Sequence, residues 1–130
     1  MEIPKNIETH TAGIMTAWVD TPGIMCGVCT KGVPCSLKNL EKTVALWKKL
    51  ADREKMCFLI DISHVLPPDR DGRDYADKEQ NALIKAYAMV SNSVLSNMIA
   101  NVFFSLKPPP YPIKLFRSEQ DARKWLKQYV

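Results

Sequence analysis

Apolar and polar positions change period several times along the chain, and each change marks an element. From Ile7 to Val19 the alternation is loose (Ile7, Thr9, then Ile14, Thr16, Trp18), the spacing of half-buried strands, with Ala12-Gly13 offering a turn between two of them. Asp20-Thr-Pro-Gly23 predicts a second turn, since proline presets one backbone angle and glycine accepts the positive φ that follows. Ile24 to Cys29 reads as a further short strand closed by Lys31-Gly-Val-Pro34. The chain therefore opens as an antiparallel meander.

After Ser36, whose hydroxyl suits an N-cap, apolar residues recur at three and four (Leu37, Leu40, Val44, Trp47, Leu50), and most lysines fall off that stripe. This predicts an amphipathic helix. Met56 to Ile62 is then apolar almost without a break, too short for an ordinary helix and rich in Phe, Leu and Ile, which describes a strand buried on both faces at the centre of a sheet. It runs through Asp61 into a polar, proline-broken turn ending at Gly72.

Asp74 to Val90, with a polar first half and apolar residues at Ala76, Leu83, Ile84, Tyr87 and Val90, predicts a second helix. Ser91-Asn-Ser93 breaks it, Val94 to Asn97 suits one helical turn, and Met98 to Leu106 has strand length and composition. The prolines of Lys107-Pro-Pro-Pro-Tyr-Pro112 lack amide donors, so that stretch predicts an extended surface connection, followed by a short strand from Ile113 to Phe116. Ser118 and Asp121 have capping-box spacing ahead of a terminal helix whose buried stripe is Ala122, Trp125, Leu126 and Tyr129.

Strands alternating with helices after a meander imply an α/β fold: a mixed sheet with βα units and flanking helices. A chain of 130 residues fits one domain, spanning 1–130. No apolar stretch approaches the ~20 residues of a membrane span and no basic-then-apolar leader opens the chain, so the expected compartment is the cytoplasm. Net charge is only +4, with lysine and arginine dispersed among acids, which argues against a nucleic-acid surface.

Asp61-Ile-Ser63-x-Val65 followed by Asp69 and Gly72 resembles the signature of STAS domains, the anti-sigma-factor-antagonist fold. In that signature a strand ends in Asp or Asn, a hydrophobic residue and Ser, and an Asp-Ser-Ser/Thr-Gly turn opens the next helix. A longer pattern is similar to small bacterial single-domain STAS-like proteins of uncharacterised function. It comprises Ala88 to Ser91, Ala100-Asn-Val-Phe-Phe104, Lys107 to Phe116, then Glu119, Ala122 and Trp125-Leu126. The resemblance implies a non-enzymatic STAS-like module that needs no cofactor and docks a protein partner through its strand-to-helix turn. Where the motif has two hydroxyl residues this chain has Arg70 and Asp71, so Asp71 stands in the place of the phosphorylated serine. A carboxylate carries about one negative charge and has no hydroxyl for a serine kinase to phosphorylate.

The candidate partner-binding residues are therefore Ser63, His64, Asp69, Arg70, Asp71 and Arg73. Asp69 and Asp71 also suit capping of a helix predicted to begin near Asp74, where free amides favour negative charge. Open α/β sheets place ligands and partners at the carboxyl ends of their strands, which makes the same turn the first place to look.

Three other chemistries draw on the remaining residues. Cys26-Gly-Val-Cys29 and Cys35 offer thiolates, but without a second spaced dyad, and the odd spacing within a strand puts Cys26 and Cys29 on opposite faces, so no metal site is expected. Ser63, His64 and Asp61 or Asp69 contain the residue types of a hydrolase, without a glycine-flanked nucleophile elbow; catalysis is the weakest of the readings. Trp47, Met89, Phe103, Phe104 and Trp125 read as core, though an apolar small molecule or lipid under the second helix is the alternative to protein docking. Tyr111, among the prolines, is a candidate contact for a partner or a second copy of the chain.

Overall fold

In the computed structural model, which describes residues 1–98 and 108–130, two hairpins open the chain. β1 (His10–Ala12) pairs antiparallel with β2 (Met15–Thr21), and β2 with β3 (Ile24–Cys29). The first turn needs glycine for two reasons. Gly13 has φ +58°, and a Cβ there would lie 2.1 Å from the Asn39 carbonyl oxygen and 2.2 Å from Thr43 Oγ1. The crowding comes from α1 (Leu37–Ala51), whose buried Thr43 hydroxyl accepts the Ile14 N–H at 2.9 Å and donates to the Asn39 carbonyl at 2.9 Å.

Ser36 caps α1 by accepting the Asn39 N–H at 3.2 Å, and Leu40, Val44 and Trp47 form the buried stripe. The helix stops at Asp52, which takes the left-handed conformation. β4 (Met56–Asp61) follows, buried at every position and lying parallel between β3 and its successor. α2 (Arg70–Leu83), β5 (Ile84–Val90), β6 (Ile113–Phe116) and α3 (Glu119–Leu126) complete the regular elements, with a further helical turn over 94–98. Strand order is β1-β2-β3-β4-β5-β6, parallel from β3 onward.

Two cores sandwich the sheet. Phe58 and Ile60 of β4 join Leu40, Val44 and Trp47 on the face covered by α1 and α2. Cys57 and Leu59 point the other way, to Ala122 and Leu126 of α3. In β5 the small residues Ala86 and Ala88 lie on the α3 face, while Ile84, Tyr87 and Met89 face α1 and α2. Trp47 meets Phe58 edge-on at 5.1 Å between ring centroids.

The meander, the central strand, α1, β6 and the Ser118 cap of the terminal helix are as expected from the sequence. The span Asp74–Val90 is corrected: α2 starts at Arg70, and the half from Ile84 onward is strand, not helix. Ile84, Tyr87 and Val90 satisfy a helical stripe, but in a strand covered on both faces every position is apolar except the exposed Lys85, so periodicity cannot tell the two apart. The expected strand over Met98–Leu106 lies outside the described residues beyond Met98, and Met98 itself is helical. Residues 108–112 form no strand, in keeping with their prolines.

α3 is tied to β2 by one charged cluster. Arg123 Nη1 and Nη2 donate to Asp20 Oδ1 and Oδ2 at 3.1 and 2.7 Å, and Trp18 Nε1 donates to Asp20 Oδ2 at 3.3 Å. Burial works to raise the Asp20 carboxyl, but the Arg123 fork and the Trp18 N–H hold it below the ordinary 3.8. A carboxyl depressed in the folded state stabilises the fold above its unfolded pKa, and that stabilisation disappears as pH falls through the folded value. Asp20→Asn is therefore predicted to lower the urea midpoint at about pH 7, with the gap to the unsubstituted protein narrowing below about pH 4. A gap unchanged down to about pH 2 would contradict the assignment.

Candidate functional site

β4 ends at Asp61, and the chain turns there by local hydrogen bonding. Asp61 Oδ1 accepts the Ser63 N–H at 2.9 Å, while Oδ2 pairs with the Met1 amino group. Burial alone would raise this carboxyl; the Met1 ammonium and the Ser63 N–H hold it below its ordinary value. Val65 N–H then closes a turn onto the Ile62 carbonyl at 3.1 Å.

The turn runs through Pro67 and Pro68 to Asp69, which is the N-cap of α2: its Oδ1 accepts the Gly72 N–H at 2.7 Å. Arg70, Asp71 and Arg73 consequently belong to the first turns of the helix and not to a loop ahead of Asp74. The helix starts four residues earlier than the apolar spacing suggests because the first half of α2 is polar and carries no stripe to mark it. His64, Asp69, Arg70 and Asp71 are exposed, while Ser63 and Arg73 are half-buried. Asp71 lies where backbone amides and the helix dipole favour a negative charge.

Gly72 is buried, and the close packing of α2 depends on it. A Cβ there would stand 2.9 Å from Leu40 Cδ1, 2.9 Å from Asp69 Oδ1 and 3.2 Å from the Cys35 carbonyl oxygen. Lys48 and Glu79, 2.9 Å apart, join α1 to α2 further along.

Beside the turn lies an apolar surface that sequence reasoning missed. Ser96 Oγ donates to the Ser63 carbonyl at 3.0 Å, pinning the helical turn 94–98 against the end of β4. On that turn Val94, Leu95 and Met98 are 74%, 67% and 60% exposed, and Leu66 adds 40% from the β4–α2 connection. The short apolar run Val94-Leu95 was the available signal, and whether such a run is buried or exposed depends on the neighbouring surface.

Behind the turn, between α2 and the sheet, is a cavity of about 390 Å³. Met15, Trp47, Tyr87 and Met89 form buried walls, and Arg73, Asp77, Gln80 and Tyr111 lie half-buried around it. Trp47 and Met89 are thus core residues, as expected, and cavity walls as well. Tyr111 turns inward, its hydroxyl donating to Gln80 Oε1 at 3.4 Å, so it is not held out toward a partner or a second copy.

All four cysteines are free and buried. Cys26 lies on the α3 face, and Cys29 and Cys35 on the opposite one, as the strand spacing requires. Burial pushes the Cys26 and Cys29 thiols up to about 12 and Cys35 to about 11. Such thiols are poor nucleophiles and poor ligands. Among the described residues no group of His, Cys, Asp and Glu is arranged to hold a metal, and no hydrogen bond joins His64 to Ser63, Asp61 or Asp69.

A mixed sheet with two helices on one face and one on the other, and a capped helix launched from the central strand, defines a STAS-like α/β domain. The crystal structure of an uncharacterized DUF3478-family protein with a SpoIIAA-like fold, from Shewanella loihica PV-4, superposes with a TM-score of 0.60 over 93% of this chain and 99% of that one. Identity is 17%, so the likeness concerns the fold alone. Residues 17–130 match the model of a domain of unknown function, DUF7793, and the chain belongs to that family. Comparison with curated proteins finds no match.

Gly72→Ala is predicted to lose about 1 kcal/mol net: overpacking costs about 1–3 kcal/mol, offset by the roughly 1 kcal/mol helix preference of alanine. Urea unfolding checks this, and a stabilised variant would show that α2 does not need so close an approach.

Proposed function

We propose that this protein is a non-enzymatic binding and regulatory module of the cytoplasm that docks a protein partner through the turn from Ser63 to Arg73. The observation that carries the reading is the pairing of two exposed features at one sheet edge. Charged Asp69, Arg70 and Asp71 stand on the first turn of α2, and apolar Val94, Leu95 and Met98 stand on the turn pinned to Ser63. Apolar area supplies affinity and flanking charge supplies orientation, the usual division at protein interfaces. Among the described residues no helix is long and apolar enough to cross a membrane.

Asp71 bears its charge permanently at the position that the STAS resemblance gives to a phosphorylated serine. Docking through this turn is accordingly unresponsive to a kinase acting at that position. Its charge is about half that of a phosphoserine.

The test compares immobilised wild type, Asp71→Ala and Leu95→Ser as baits in extracts of the source cell, with quantitative mass spectrometry of what each retains. A protein held by wild type should fall at least about tenfold with either variant, while urea unfolding shows Asp71→Ala within about 1 kcal/mol of wild type, the scale of a helix-terminus charge. Equal recovery on all three baits would contradict the reading.

A further inference from the structure

The cavity behind α2 supports a second role that needs no partner at the exposed turn. The space of about 390 Å³ between α2 and the sheet opens to solvent past the exposed Leu66 and Asp74 and has the volume of a small-molecule pocket. A 150 Å³ apolar cavity accommodates benzene, so this one suits a molecule of roughly 15 non-hydrogen atoms.

Its walls define the occupant. Trp47, Tyr87 and Tyr111 present aromatic rings and Met15 and Met89 present thioethers, surfaces that favour a flat, polarizable ligand. Among the described lining residues, charge is confined to the half-buried Arg73 and Asp77 on α2 and to the exposed Asp74. Deeper in, Cys29 and Cys35 are kept as neutral thiols and Tyr87 as a neutral phenol by burial, and the same desolvation would disfavour a charged ligand group. Tyr87 gives its backbone N–H to the Pro112 carbonyl and lines the cavity with its side chain, whose phenol hydroxyl can donate to an acceptor there.

We propose that the cavity binds an uncharged aromatic molecule of two fused or linked rings, whose single acceptor oxygen takes the hydrogen bond of the Tyr87 phenol.

The probe is prodan, a neutral naphthyl ketone whose emission shifts to the blue when it leaves water. Titration into the full chain should give saturable one-to-one binding with a blue shift. Tyr87→Phe, which keeps the ring and removes the donor, should weaken it about tenfold, the scale of one buried hydrogen bond. Ala76→Trp, placed on α2 to fill the space, should abolish it. Far-UV circular dichroism establishes that each variant is folded; should Ala76→Trp unfold, Tyr87→Phe decides alone. Absence of saturable binding to wild type, affinity unchanged in Tyr87→Phe, or displacement of the dye by dodecanoate in preference to neutral naphthyl ketones would overturn the proposal.

Discussion

Burial of β4 from both sides is the constraint on which the rest of the molecule depends. Phe58, Leu59 and Ile60 are each fully buried, and hiding side chains of that size contributes roughly 1.5–3 kcal/mol apiece. A strand satisfied on both faces can sit only in the interior of a sheet with helices above and below. Its register then places Asp61 beside Val90 and Val28 at the carboxyl edge. Everything downstream follows from where that edge falls.

Two devices convert the edge into a defined surface. Asp61 and Asp69 accept the backbone amides of Ser63 and Gly72, so local bonds shape the turn and the helix start while the buried Gly72 seats the helix. His64, Arg70 and Asp71 remain in solvent, and Gly72 lets the helix settle against Leu40. The same helix that carries the exposed charges roofs the cavity with Arg73, Ala76 and Asp77, so the two candidate sites share one rigid element.

Much of this arrangement could be read from residue spacing, for physical reasons that also mark where reading stops. The glycine turns, the Ser36 and Ser118 caps and the α1 stripe announce themselves because each is a local rule with one residue type at one offset. β5 did not, because Ile84, Tyr87 and Val90 fit a helical face equally well and only neighbouring strands on both sides decide for the extended form. At the site, the positions Ser63 to Arg73 were legible as a turn between strand and helix, while the boundary at Arg70 was hidden by a polar helix start. The helical turn at Val94 and a space under the second helix were within reach of sequence reasoning, but the exposure of Val94 and Leu95 and the walls of the cavity behind Tyr87 were not, since exposure and empty volume are properties of the packed molecule.

Native-state hydrogen exchange, followed amide by amide by NMR, tests the central claim most directly. The amides of Phe58, Leu59 and Ile60 should exchange only through global unfolding, those of His64, Leu66 and Arg70 within a few orders of magnitude of free-peptide rates, and the Gly72 amide measurably slower than its neighbour Asp71. Exchange of the β4 amides through low-energy local opening, or protection of the His64–Arg70 amides equal to that of β4, would contradict a buried central strand delivering an exposed, locally capped turn.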